Sequence, residues 1–177
     1  ETEATRVLLE RLQVRLADNA RILEDIAGVA VWQLRAAGPL KDLQGAQDAG
    51  RLATERWGAL ARRDPSDHLS QRSHLDAHLL WGLTLLRAGA PEAALEKLQG
   101  AQALVEDTAR RWPLDLQVAA RQAYLADALA QAHHDLEETE KAQACAEQAQ
   151  QQAAQLCERH PDSAAALTAR LVVRLSP

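Results

Sequence analysis

The sequence predicts an all-α protein made of repeated antiparallel helix pairs. Three observations carry this. Proline recurs at Pro65, Pro113 and Pro161 in two equal steps of 48 residues, each time with an arginine two positions before it (Arg63, Arg111, Arg159). Hydrophobic residues make up 47% of the 177-residue chain, much of it alanine, with four tryptophans, one tyrosine and no phenylalanine. Leu and Ala are strong helix formers, and so few aromatic and β-branched residues argue against a sheet. Apolar residues also keep helical spacing, as in Ile22, Ile26, Val29 and Leu34.

The proline motif reads "ALARRDPSD" at 59–67, "DTARRWPLD" at 107–115 and "QLCERHPDS" at 155–163. Arginine in a last helical turn meets the negative end of the helix dipole. The proline then cannot continue the helix. Ser66, Asp67, Asp115 and Ser163 are placed to cap the next helix by accepting its unpaired N–H groups. A degraded copy, "RLQVRLADN", stands at 11–19, with Arg15 and Ala17 at the arginine and proline positions. A second kind of break falls between the motifs: "AAGPLKD" at 36–42, "RAGAPEAA" at 87–94 and "AHHDLEE" at 132–138. Gly-Pro is a stop signal with a new helix starting at the proline. His133-His134-Asp135 reads as the third turn, and Asp135, Glu137, Glu138 and Glu140 as favourable charge at a helix start.

These breaks divide the chain into helices at 2–16, 19–37, 40–63, 67–88, 91–111, 115–133, 137–159 and 163–175. The grouping is one domain over 1–177: a half-repeat at 1–18, repeats at about 19–66, 67–114 and 115–162, and a half-repeat at 163–177. The chain starts at Glu1, has no methionine and opens inside a repeat, so the expectation is a piece of a larger protein. Small residues recur at matched places in the second helices, Ala46, Ala94 and Ala142, then Ala53, Ala101 and Ala149, which lets neighbouring helices approach closely. Gly82, inside a helix, needs a close contact to justify its cost of about 1 kcal/mol relative to alanine. Trp32 and Trp81 read as core, Trp112 as the staple of a corner and Trp57 as partly exposed. The glutamine-rich stretch "KAQACAEQAQQQAAQLC" at 141–157 offers only a thin alanine seam, a place for a further repeat or a second chain to dock.

The repeated helix pair is the mark of an α-solenoid. The middle repeat, "HLLWGLTLLRAGAPEAALEKLQGAQAL", resembles the tetratricopeptide repeat family. Trp81-Gly82 stand at its Leu-Gly position, Leu85 at its tyrosine position and Gly89 at its inter-helix turn, with Ala94, Leu98 and Ala101 in the second helix. The corner "LARRDPSD" looks like that of long-period bacterial members; the period here is 48 rather than the usual length of about 34. The resemblance is closest over 75–113 and looser over 20–66 and 120–161. It implies a right-handed superhelix and a non-catalytic scaffold that holds a protein, a peptide or a partner helix on its concave face.

Carried onto this sequence, the family's groove positions are Asp76, Leu79, Leu83, Leu86 and Arg87, then Tyr124, Asp127 and Gln131 one repeat later. The leucine content of helix 67–88 supports the choice. Leu75, Leu79, Leu80, Trp81, Leu83, Leu85 and Leu86 wrap well beyond the stripe about 100° wide that a one-sided helix needs. If His78, Trp81, Gly82 and Leu85 fill the core, then Leu79, Leu83 and Leu86 are left for the concave side. The competing reading has them covered by neighbouring first helices. A further alternative for the whole chain is a structural, regulatory or dimerisation segment of a bacterial signalling protein such as a kinase or transcription regulator.

Several classes of function find no support. A formal net charge of −5 with no basic segment disfavours nucleic acid. No apolar run approaches the ~20 residues that span a bilayer, and no signal-peptide pattern is present, so the reading is cytoplasmic, or periplasmic if the larger protein is membrane-anchored. His74 and His78 at i, i+4 could reach one metal ion, but the third ligand is missing from the sequence pattern. Cys145 and Cys157 on one helix would stand about 18 Å apart, too far to pair. No phosphate loop, nucleophile elbow or paired-cysteine metal site appears, and the expectation is no enzyme and no cofactor.

Overall fold

The computed structural model describes residues 19–175. They form seven helices: α1 (Ala20–Leu40), α2 (Leu43–Arg63), α3 (His68–Arg87), α4 (Pro91–Arg111), α5 (Leu116–Asp135), α6 (Thr139–Arg159) and α7 (Ala164–Leu175). No strand occurs among the described residues. The protein is all-α. The expected helix at 2–16 and the half-repeat at 1–18 lie outside the described residues.

The 48-residue period is written into the backbone. First-of-pair helices start at Ala20, His68, Leu116 and Ala164, and second helices span 43–63, 91–111 and 139–159. Pro65, Pro113 and Pro161 each stand two residues beyond a helix end, as the motif predicts. At each corner the same two bonds close the chain. The N–H groups of Asp64, Trp112 and His160 donate to the carbonyls of Leu60, Thr108 and Leu156, and those of Asp67, Asp115 and Ser163 donate to Asp64, Trp112 and His160. Asp67 caps α3 by accepting the Leu69 N–H at 3.0 Å, and Asp115 caps α5 by accepting the Gln117 N–H at 2.7 Å. Ser66 is not a cap: its hydroxyl donates to Asp64 Oδ1 at 2.6 Å, inside the corner. Successive corners stack. The Trp112 ring meets the His68 ring edge-on at 4.7 Å, the staple expected of it, and Arg111 Nη1 reaches Pro65 O at 3.5 Å.

The turns inside the pairs depart from the sequence reading at two places. Gly38-Pro39 does not break α1; the helix continues through Pro39 to Leu40, and α2 begins at Leu43. The left-handed residue that ends the helix is Lys41 (φ 53°), equivalent by 48-residue steps to Gly89 (φ 81°) and Glu137 (φ 61°). Each is the left-handed residue of the same closing motif. Lys41 N–H donates to Gly38 O and Asp42 N–H to Ala37 O, as Gly89 and Ala90 do to Leu86 and Leu85, and Glu137 and Glu138 to His134 and His133. Pro39, in the last turn, removes one donor and leaves this closure intact. His133, His134 and Asp135 are likewise the end of α5 rather than a turn, and His133 is buried with Nδ1 2.5 Å from Glu138 Oε2.

Each helix packs on its successor. The first helices also contact one another, α1 with α3, α3 with α5 and α5 with α7, whereas the second helices α2, α4 and α6 make no such contacts among themselves. The contacts run in reversed order, Gly82 against Leu98 and His78 against Gly100, so α3 and α4 are antiparallel. The alanine seam is as expected: Ala46, Ala53, Ala94, Ala101 and Ala149 are fully buried, with Ala142 half-buried. A Cβ on Gly82 would stand 2.5 Å from Leu98, a residue itself fully buried, so the predicted close contact is present.

Two outcomes follow. Gly82→Leu overpacks the α3–α4 contact and lowers stability by roughly 1–3 kcal/mol in urea unfolding; an unchanged midpoint would show room where none is seen. Lys41→Gly relieves a left-handed side chain and raises stability by about 0.5–1 kcal/mol, part of the relief being offset by the freer unfolded chain. A loss of stability there would mean that the lysine side chain matters more than its backbone.

Candidate functional site

A groove of about 690 Å³ runs along the first helices. Gly28, Val31, Trp32 and Arg35 of α1 form one wall, Asp76, Leu79, Leu80 and Leu83 of α3 the floor, and Gln117, Arg121 and Tyr124 of α5 the other wall; Trp57 of α2 and Thr168 of α7 touch its margin. Apart from Asp76 the floor is apolar, and the groove's charges come from Arg35, Asp76 and Arg121.

Asp76 and Arg121 tie α3 to α5. Arg121 Nη2 donates to Asp76 Oδ2 at 2.6 Å, and Nε donates to Oδ1. Arg121 Nη1 donates to Gln117 O at 2.8 Å. Burial works against the Arg121 charge, but the hydrogen bonds and charge of Asp76 outweigh it and hold its pKa above the ordinary arginine value. Two parallel N–H···O bonds on a half-shielded carboxylate fix direction as well as energy. Beside them, burial pushes the Tyr124 phenol up against the pull of Arg121. On the opposite wall the Arg35 guanidinium lies 5.4 Å from the centre of the Trp32 ring.

Of the eight residues predicted to bind a partner, Asp76, Leu79, Leu83 and Tyr124 line this groove. Leu79 nevertheless belongs to the core, 6% exposed and clustered with Leu75, Leu98 and Val118. Its cover comes from the second helix α4 as well as from the neighbouring first helix α5. Leu86 packs half-buried against the core, and Arg87 lies exposed beside Gly38 at the end of α1. Asp127 is buried and accepts a bond from Gln131 Nε2 at 2.8 Å, so these two are engaged with each other and do not line the groove.

Val31, Trp32, Arg35, Leu80 and Arg121 were not anticipated. The 48-residue step contains the signal: taken backwards from Asp76, Leu79 and Leu83 it lands on Gly28, Val31 and Arg35, all of which line the groove. Trp32 is 70% exposed and not core. The position equivalent to buried Trp81 is Gln33; Trp32 is one residue out of that register and so about 100° around the helix. Trp81 itself is buried over Gly50, and Trp57 is half-buried, as expected.

The two histidines face α2 and α4 rather than the groove. Their rings meet edge-on at 5.1 Å, His74 against Gly58 and His78 against Gly100. Among the described residues no three His, Cys, Asp or Glu side chains are grouped to hold a metal ion. Cys145 and Cys157 are free thiols; Cys157 Sγ donates to Ala166 O at 3.2 Å. No helix among the described residues is long and apolar enough to cross a membrane. Comparison of the chain with protein-family models, with curated proteins and with solved structures returns no match.

Burial, aided by the charges of His78 and Arg62, lowers the His74 pKa from 6.5 to about 4. The folded state resists protonating this imidazole, so the unfolded chain binds more protons between those values. The contribution of His74 is complete above 6.5 and is lost as pH falls towards 4. His74→Gln is expected to flatten the decline of melting temperature over this window. An identical decline in the variant would mean that other groups carry the acid sensitivity.

Proposed function

We propose that this chain is a non-catalytic binding scaffold, an α-solenoid of the tetratricopeptide kind, whose concave side holds a peptide or a partner helix. The observation that carries the reading is the groove. It is lined almost wholly by first-of-pair helices, which touch one another while the second helices stay apart. An array packed closely on one side and splayed on the other curves around its close-packed side, and a right-handed superhelix is the curvature that the family resemblance implies. The groove then lies inside the curve. Trp32 offers a large exposed apolar surface there, of the residue type that most often anchors a partner. Arg35 beside it favours an acidic or neutral ligand over a basic one.

The experiment uses exposed groove residues, because Leu79→Asp would unfold the core instead of probing the site. Trp32→Ala with Arg35→Glu should leave the helical signal and melting temperature unchanged. Affinity for a partner captured by the wild-type chain should fall by about 30-fold or more, the scale of a lost anchor. Undiminished binding by the double variant would remove the groove as the binding site.

A further inference from the structure

Successive first helices meet through side chains of different size. At α1–α3 the shared buried cluster holds Ala30 and Ala77, with Ala53 of α2 beside them. At α5–α7 it holds Ala120, Ala123 and Ala126 with Ala165, Ala166 and Ala169. At α3–α5 the groups are larger, Leu75 and Leu79 with Val118 and Leu125. Alanine lets two backbones come close, whereas leucine and valine hold them apart. The α3 and α5 backbones accordingly approach over less of their length than those of α1 and α3, or of α5 and the shorter α7. The preceding second helix follows suit: α4 packs less fully on α5 than α2 does on α3.

The same junction carries two polar ties that the others lack. Arg121 grips the Asp76 carboxylate with two N–H groups, Nη2 standing 2.6 Å from Oδ2. Nearer the corner, His68 Nε2 lies 2.5 Å from Asp115 Oδ2, while the other carboxylate oxygen of Asp115 caps α5. Stepped back by 48 residues, these pairs become Gly28 with Ser73 and Ala20 with Asp67. Stepped forward, they become Tyr124 with Ala169 and Leu116 with Ser163. Each of those four pairs contains a side chain that can neither donate nor accept a hydrogen bond, so none repeats the tie. A contact of leucine and valine is non-directional and tolerates rotation. A two-pronged arginine–carboxylate contact is directional and sets an angle.

We propose that the α3–α5 junction is the hinge of the array. The contact of Leu75, Leu79, Val118 and Leu125 is its pivot, and the Asp76–Arg121 and His68–Asp115 ties hold its angle. The residues between α4 and α5, Trp112 to Asp115, take up the movement, as short segments at element ends do in hinged proteins. The alanine contacts at α1–α3 and α5–α7 make each flank move as one piece, because closely packed helices resist sliding. The groove straddles the hinge. Asp76, Leu79 and Leu83 lie on one side of it and Gln117, Arg121 and Tyr124 on the other, so the groove's width follows the hinge angle. The hinge does not depend on what the groove holds.

The 48-residue period supplies its own control. Glu55, Ala103 and Gln151 are equivalent positions, all exposed on second helices. Nitroxide labels are attached to the 177-residue chain carrying Cys145→Ser and Cys157→Ser. Glu55→Cys with Ala103→Cys reports the α1–α3 junction, and Ala103→Cys with Gln151→Cys reports the α3–α5 junction. Double electron–electron resonance should give a broader distance distribution for 103–151 than for 55–103. Arg121→Gln with His68→Gln should widen the 103–151 distribution about twofold, two ties of modest strength being lost, and leave 55–103 unchanged. Arg121→Lys keeps the charge without the two-pronged geometry and should give a width in between; it decides the matter alone if the double variant loses its helical circular dichroism. Equal widths at the two junctions before these substitutions overturn the proposal, as does a 103–151 distribution that the substitutions leave unchanged. Equal broadening at both junctions also overturns it, since the array would then be loosening as a whole.

Discussion

Close approach of neighbouring helices is the constraint on which the rest depends. Fully buried alanines at 46, 53, 94, 101 and 149 bring backbones near enough that side-chain volume must be traded across each contact. In the second repeat Gly82 makes room for Leu98. The equivalent positions in the first repeat reverse the sizes, Leu34 and Gly50, and the third has Ala130 and Ala146. The space left above Gly50 is taken by the Trp81 ring. A core of this kind has little use for large rings, and the chain contains no phenylalanine.

Close packing also demands that each pair turn in the same way, and the three turns share their hydrogen bonds although they share little sequence. Only one has the glycine that its left-handed residue favours; Lys41 and Glu137 adopt that conformation because the bonds to the helix end hold them there. Tertiary repetition thus overrides local preference. With the turns fixed, the first helices gather and the second helices separate. The groove, its apolar floor and the Asp76–Arg121 tie all lie on the gathered side.

The corners were legible because proline and arginine mark them in plain sequence. The inner turns were legible only where glycine stands at the left-handed position. Gly38-Pro39 drew the boundary too early, since a proline in a last helical turn looks like a stop while costing one hydrogen bond. The site was legible as a set of columns rather than as residues. Asp76 and Tyr124 share a column with Gly28, and Leu83 shares one with Arg35. Leucine content alone could not separate groove from core, because an inner first helix such as α3 packs on four neighbours and exposes only a narrow strip. Leu79 falls on the boundary, touching the groove with an edge while its bulk fills the core.

That narrow strip lets the array expose apolar surface and stay folded. On α3 the apolar residues form two buried faces, and the strip between them carries Asp76, Leu80 and Leu83. Asp76 pairs with Arg121 of the next first helix, so the strip is braced against α5. On α1 the same strip carries Trp32 and Arg35, stacked on each other. The ion pair thus lies on one side of the groove and the exposed aromatic residue on the other. The exposed aromatic surface of the groove therefore lies on α1, while an ion pair ties α3 to α5.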